Sequence, residues 1–435
     1  MLALAAAAIL VGFTAILAAA SLRLPAFTGF LLAVYVLGAG EIVLLTEVLS
    51  LPHRVGAPGY AIGELALFVV VLAVWDRRGR PYPSLPAVRM GSASEHPMLV
   101  FLALAVGIAV CYQAFLVLAT PPGTWDSLAY HLARAAEWYQ RGAVEYYPTH
   151  SESVNATQPN AEMLTLYTFA FLGRDTVAAA PQLFAELASL VAVYGMAIRL
   201  GFPRAPSAFA ALLTGTLSQV VLQSVTTQND LLTASFLATT VYFLLGRATP
   251  DLALAGLALG LAVGTKATAV IGVPVLLLAA VLVHDRRHIL RGVGLACAGL
   301  ALVGAYGYVL NVVHTGRVLG DPSALGGLDQ LDVTFSGAAS TAVRMGYDFI
   351  DLSGYPVPGE VTRPVEVAAE RFFSAAHVPV NPDGATLLSH PSASRSTGAR
   401  TTHGPTSGLS ALSSLFRSRS ASSLRQFLAV RVPCS

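Results

Sequence analysis

An all-α polytopic membrane protein is the fold class this sequence predicts, and three observations carry it. The 435 residues are 55% hydrophobic and 11% charged, with a mean hydropathy of +0.64; soluble domains carry about 25% charged residues. Apolar runs long enough to cross a hydrocarbon core of about 30 Å recur through the first 312 residues. The arginines gather in short loops between those runs, the pattern that orients membrane helices. The net charge of +2 is then a product of topology and implies no nucleic-acid partner. Cys111, Cys297 and Cys434 are widely spaced, so neither a disulfide framework nor a metal cluster is indicated. No cofactor is expected, and a divalent cation is not indicated.

The first run, 2–20, lacks the basic leader of a secretory signal and is followed by further spans, so it reads as a membrane helix. Runs at 26–49 and 58–75 follow, apolar nearly throughout except for Glu41, Glu47 and Glu64. Glu47 falls near the outer boundary; the other two need partners on neighbouring helices. These first helices are expected to act as scaffold. Segment 76–96 carries Arg77, Arg78, Arg80 and Arg89. Beyond it come runs at 97–119, 176–199, 206–225, 231–246 and 290–312, with the stretch Leu252–Val283 between the last two. Counted with two arms for that stretch, the total is about ten helices. Arg199 and Arg204, then Arg247, then Arg286, Arg287 and Arg291 mark the other basic loops. If all four loops are cytoplasmic, the parity of the intervening helices is consistent, with Arg54 a minor dissenter.

Leu252–Val283 holds a single charge, Lys266, which is also the sole lysine of the chain. A charge within an apolar run is costly and marks a candidate functional site. As one helix the run would extend about 48 Å, well beyond the hydrocarbon core, and both its flanks are basic. A helical hairpin is therefore predicted, its turn Gly264–Thr268 at the outer face. The competing reading is one long tilted helix with a snorkelling lysine.

The large loop 120–160 faces outward on the same parity. Pro121, Pro122 and Gly123 end the preceding helix. Asp126 and Ser127 suit N-caps, and Leu128, Leu132, Ala135, Ala136 and Tyr139 recur at helical spacing with His131, Arg134, Glu137 and Arg141 between them. This predicts a short amphipathic helix in the interfacial plane, rich in the Trp and Tyr that concentrate there and stopped by Gly142. Interfacial solvation accounts for His131 and Arg134, and a helix cap is the plainer account of Asp126. Asp126, Glu162, Asp230 and Lys266 come from four outward-facing segments. Together they describe one polar site at the outer membrane boundary, although each alone suits a solvated loop charge.

The order and spacing of several motifs resemble a membrane glycosyltransferase of the GT-C class. They are Trp125-Asp126-Ser127 with Tyr130-His131-Leu132 and Arg134; Gly142-Ala143-Val144 with Tyr147-Pro148-Thr149; Pro159-Asn160-Ala161-Glu162; Thr227-Gln228-Asn229-Asp230; and the stretch Gly256–Lys266 with its Gly-Leu repeats. The resemblance covers roughly 97–320 and is to the family of protein O-mannosyltransferases and the lipid A aminoarabinose transferase, glycosyltransferase 39-like. It implies a sugar carried on a polyprenyl phosphate, a lipid, glycan or protein acceptor, membrane lipids as surroundings, and inverting transfer at the outer face of a multi-pass protein. A bacterial plasma membrane is the expected location. By position the resemblance makes Asp126 the catalytic base and gives Lys266 the donor phosphate. His131, Arg134, Glu162, Asn229 and Asp230 would shape the pocket or orient the donor. Asn229 and Asp230 equally suit a polar turn, and Glu162 an interfacial cap. Many relatives carry two adjacent acids where Trp125 and Ser127 flank Asp126; Glu137, Glu145 and Glu152 are the other acids of this loop. Ser151–Gln158 matches no familiar pattern.

Four regions are expected: helices and a cytoplasmic loop in 1–96, a GT-C-like core in 97–315, an extracytoplasmic segment in 316–390, and a disordered tail in 391–435. The tail, Pro391–Ser435, has six arginines, twelve serines and no acid, a composition that suits disorder. It equally suits a frame read out of register or a chain cut before its last helices, and one of those two origins is expected. The alternative functions are a transporter or lipid flippase and an inactive membrane protein. Transporters tend to show internal repeats and ionisable groups near the midplane, whereas no repeat is visible here and the charged candidates map to the boundary.

Overall fold

A computed structural model describes residues 1–83, 96–149, 152–320 and 359–376, with 340, 342, 343 and 347. The described residues are helical throughout, without a strand. The chain divides into units 1–329 and 330–435. In the first, α1 (Leu2–Ser21), α2 (Phe27–Ser50), α3 (Ala57–Arg77) and α4 (Pro97–Ala119) form where the apolar runs predict them. A π-helical turn (Ser127–His131) leads into α5 (Leu132–Arg141), followed by α6 (Glu152–Ala156), α7 (Asn160–Leu172) and α8 (Ala180–Arg199). Then come α9 (Arg204–Thr214), α10 (Ser218–Gln223), α11 (Asp230–Leu244) and α12 (Thr249–Thr265). A 3-10 turn (Ala267–Gly272), α13 (Val273–Val283), α14 (Arg286–Val303) and α15 (Tyr306–Thr315) complete the unit.

Among the described residues, five helices are long and apolar enough to cross a membrane, namely α1 to α4 and α8; the bent pair α14 and α15 makes a sixth. The difference from about ten lies in length. The helices α11 and α12, and the arm 267–282, are apolar but of 10–17 residues. The run 206–225 is broken at Gly215–Leu217 into α9 and α10, and the run 290–312 bends by 64° where α14 meets α15.

The contacts sort the helix ends into two faces. At one, Arg78 Nη1 donates to the Ser21 carbonyl at 2.9 Å, Thr28 meets the Tyr242 hydroxyl at 3.1 Å, and Arg199 donates to Asp251 at 2.9 Å. His284 Nε2 pairs with the Leu244 carbonyl there at 2.6 Å. The described basic-loop residues thus share one end of the bundle. At the other, Val55 N–H donates to Gly142 at 2.8 Å and Tyr306 Oη to Val144 at 2.9 Å.

This geometry settles the conformation of Leu252–Val283. Lys266 contacts Asp230, the first residue of α11, while His284 contacts Leu244, its last. The 15 residues of α11 span about 22 Å, so the chain crosses that distance and returns. It is a hairpin, and the single long helix is excluded. The outgoing arm α12 packs in parallel on α14. Gly256 faces Leu295 and Ala296, Gly260 faces Gly299, and Gly264 faces Gly304 so closely that a Cβ at any of the three would overlap the opposite backbone. Small residues at this spacing let membrane helices approach backbone to backbone.

Helix α2 lies against α7, α8 and α12, and its buried Glu41 and the buried Glu64 of α3 share a neighbourhood with the Tyr167 hydroxyl of α7. This polar cluster brings the first helices against the core. In the second unit, α16 (Gly359–Ala375) sets Phe373 edge-on to Tyr347, with ring centroids 5.5 Å apart. The expected tail 391–435 and most of 316–390 lie outside the described residues.

Candidate active site

The loop 120–149 folds over the end of the bundle opposite the basic loops. Its helix departs from simple 3.6-residue periodicity at the start, where Leu132 N–H bonds back to Ser127, five residues earlier. Such π-turns add one residue to a helical turn. The buried face is thereby rotated. Of the residues at apolar helical spacing, Leu128 and Tyr139 are exposed, while His131, Arg134 and Trp138 are buried beside Leu132 and Ala135. His131 and Arg134 are each 1% exposed, which corrects the expectation that solvent at the interface accounts for them. Gly142, with φ +68°, ends α5 in the left-handed conformation that glycine adopts at least cost.

The partner of both is Glu162, in the first turn of α7 and itself 1% exposed. Arg134 Nη1 donates to Glu162 Oε1 at 2.9 Å and to Thr157 Oγ1 at 2.7 Å, and Nη2 donates to the Thr157 carbonyl at 2.9 Å. His131 Nδ1 meets Glu162 Oε1 at 2.8 Å. Arg134 also lies 4.5 Å over the Trp138 ring. Buried and engaged by both Arg134 and His131, Glu162 is an ion-pair hub and not a solvent-facing interfacial cap. Burial alone would raise its carboxyl; Arg134 and the His131 bond outweigh that and hold it below the ordinary glutamate range.

Glu162→Gln should therefore be among the most destabilising changes in this loop. Leaving Arg134 buried without its carboxylate costs about 3–5 kcal/mol. A folded-state carboxyl held low stabilises above its unfolded value, and the contribution fades as pH falls through the folded value. The gap in melting temperature between wild type and Glu162→Gln should thus be wide at neutral pH and close on acidification below the ordinary glutamate range. A gap that is constant from pH 7 to pH 3 would contradict this role.

Asp126 precedes the π-turn with helical backbone angles and makes no capping bond. Its carboxylate Oδ2 instead accepts from Gln228 Nε2 at 2.9 Å, so the helix-cap account does not hold. Next to it, Ser127 Oγ accepts from Thr227 N–H at 3.1 Å. Two residues beyond Gln228, Asp230 opens α11 and pairs with Lys266 Nζ at 2.5 Å. Lys266 ends α12 by taking an extended conformation. Between them Asn229 Nδ2 donates to the Thr265 carbonyl at 3.4 Å. The short segment Thr227–Asp230 thus touches the 120s loop at one end and the hairpin turn at the other. Tyr130 registers the same convergence: burial first, then the charges of Glu162, Asp126 and Asp230, raise its hydroxyl above the ordinary value.

Two further residues hold this arrangement: Gln182, which carries no signal in the sequence, and Asn160, which the sequence offers only as part of the Pro159–Glu162 motif. Gln182, 1% exposed in the apolar α8, donates its amide to the Gln228 carbonyl and accepts from Leu232 N–H at 3.0 Å, so it grips the segment on both sides of Asp230. Asn160 donates to Val303 O at 2.6 Å and to Leu261 O at 3.4 Å, tying α7 to α14 and α12 below the hairpin turn. A Cβ on Gly264 would collide with that amide.

A buried cation and carboxylate hub that fixes a loop helix, a semi-exposed carboxylate on that helix, and an ammonium at the membrane boundary suit chemistry on a lipid-linked phosphate. Comparison with known families bears on the class. Residues 163–308 match the dolichyl-phosphate-mannose-protein mannosyltransferase family. The match supports a membrane glycosyltransferase of the glycosyltransferase 39-like, GT-C kind and, in general terms, one that uses a polyprenyl-phosphate-linked sugar. With the apolar helices it supports an integral, multi-pass protein. The mannosyltransferase-family segment is about a third of the 435 residues. It contains Asn229, Asp230 and Lys266, and begins one residue after Glu162, so Asp126, His131 and Arg134 lie ahead of it. No curated protein and no solved structure matches the chain.

Proposed function

We propose that this chain moves a sugar from a polyprenyl phosphate to an acceptor hydroxyl at the outer membrane boundary, with inversion at the anomeric carbon. Asp126 takes the acceptor proton as general base. Lys266 holds the donor phosphate, which gains charge as the sugar leaves, so an ammonium there favours the transition state. Asn229 and Asp230 hold the hairpin turn and its lysine in place. His131, Arg134 and Glu162 form the rigid seat that fixes the helix bearing Asp126. The observation that carries this reading is the segment Thr227–Asp230, which holds Asp126 through Gln228 and Lys266 through Asp230.

The test is turnover by the full chain reconstituted in lipid with a polyprenyl-phosphate mannose. The expected result is release of polyprenyl phosphate with an α-linked product from a β-linked donor. Movement of the intact donor across the bilayer without its cleavage would favour a flippase instead.

The outward orientation rests on the arginines at the opposite end of the bundle, since cytoplasmic loops are enriched in them. In a background lacking the native cysteines, Lys266→Cys should react with a membrane-impermeant maleimide added to the outside of intact cells. Labelling confined to inside-out vesicles would overturn the orientation.

A further inference from the structure

A cavity of about 430 Å³ opens between the end of α4 and the stretch 219–228, a volume within the usual range for small-ligand sites. We propose that it holds the acceptor and that the acceptor is a neutral sugar. This rests on the preceding assignment of Asp126 and Lys266, and adds the substrate class and its seat.

Position comes first. Gln228 lines the cavity and is also the residue that holds Asp126. Thr124, two residues before Asp126, lines it as well. Lys266 engages the far end of the same segment, through Asp230. In an inverting displacement the base belongs on the acceptor's side of the reacting carbon, opposite the departing phosphate. Asp126 joins the segment at Gln228, which lines the cavity, and Lys266 joins it at Asp230, which does not. The step balances without a further reagent. The acceptor oxygen bonds to the anomeric carbon, the bond from that carbon to the phosphate oxygen breaks with its electron pair going to the phosphate, and the hydroxyl proton passes to Asp126.

Composition gives the class. The lining contains no Asp, Glu, Lys, Arg or His. An anionic acceptor would call for an arginine or lysine, and an ammonium for a carboxylate. The polar groups are instead the amides of Gln219, Gln223 and Gln228 with three threonines, set beside leucine and proline surface. Gln223 gives its carbonyl to Leu231 N–H, and Gln228 gives its amide nitrogen to Asp126. That leaves the Gln223 amide nitrogen, the Gln228 side-chain carbonyl and the exposed Gln219 amide for a ligand. Donors and acceptors grouped in this way suit several neighbouring hydroxyls on one molecule, and the apolar wall suits the C–H face of a sugar ring. A serine or threonine side chain would offer one hydroxyl to the same set.

Two measurements on the full chain in nanodiscs test this. In a cysteine-free background, Gln219→Cys should be protected from maleimide by an alkyl glycoside, with no donor present, and not by a threonine peptide or a sugar phosphate. With donor, the alkyl glycoside should accelerate polyprenyl phosphate release, and Gln219→Leu should raise the KM for the glycoside about tenfold more than the KM for the donor, as expected for a lost hydrogen bond or two. Protection or acceleration by the peptide or the sugar phosphate in place of the glycoside overturns the sugar assignment. Protection by the glycoside with no donor cleavage under any condition would instead leave a sugar-binding cavity and remove the transferase reading. Glycoside turnover with neither protection at 219 nor a shift in Gln219→Leu would place the acceptor elsewhere.

Discussion

Asp126→Asn should abolish sugar transfer while leaving the fold intact. The substitution preserves size and keeps an oxygen for the Gln228 amide that now donates to Asp126 Oδ2 at 2.9 Å, so the loop helix has no reason to move. What is lost is the group that accepts the acceptor's proton. General-base catalysis is worth about 10²- to 10⁴-fold, which brings turnover to the floor of a radiolabel assay. The experiment pairs initial transfer rates with a melting curve in the same detergent. Wild-type turnover in a normally melting Asp126→Asn protein removes Asp126 from the mechanism. Because Asp126 lies ahead of the family-matched segment 163–308, this measurement bears on the part of the site for which geometry is the main support.

Lys266→Ala gives the second large effect, and a different kinetic signature. Lys266 is the sole lysine of the chain and pairs with Asp230 at 2.5 Å. The pair is partly open to solvent, with side chains 34% and 50% exposed, so it adds little to folding; the ammonium is available to a phosphate that enters beside it. A hydrogen bond to a charged group is worth about 1.5–3 kcal/mol, so the KM for the polyprenyl-phosphate donor should rise roughly 10- to 100-fold. The acceptor KM should change little. Lys266→Arg should recover part of the loss, since a guanidinium keeps the charge but not the compact geometry. An unchanged donor KM in Lys266→Ala would remove the phosphate from this position.

The legible parts of this protein are those that composition controls. Apolar runs set α1 to α4 and α8, since few alternatives exist for backbone in lipid. The lone charge in Leu252–Val283 and its two basic flanks predicted the hairpin, because a buried ammonium and a 48 Å helix are both costly. Lys266 is a candidate as the lone charge in its run, and Asp126, Glu162 and Asp230 as charges of other outward-facing segments; Gln228 and Asp230 tie Asp126 and Lys266 to one short segment. The burial of His131 and Arg134 was not legible: the π-turn at Ser127–His131 adds a residue that a 3.6-residue pattern does not anticipate. The break at Gly215–Leu217 falls where Thr214, Gly215, Thr216, Ser218 and Gln219 interrupt the run 206–225, a signal that its mean hydropathy averages away. Gln182 gave no signal either, since one amide in an apolar helix changes its hydropathy very little; its importance comes from touching two backbone groups that are 46 and 50 residues away.

The segment Thr227–Asp230 behaves as a ruler. Gln228, which grips the carboxylate, and Asp230, which grips the ammonium, are separated by two peptide steps, an interval of at most about 7 Å along the chain. Most connections between helices accept an extra residue at small cost. Here one insertion would uncouple the two grips and change the distance between the Asp126 carboxylate and the Lys266 ammonium without requiring any helix of the bundle to move. The length of these four positions, and not only their residue types, therefore sets the spacing of the two groups.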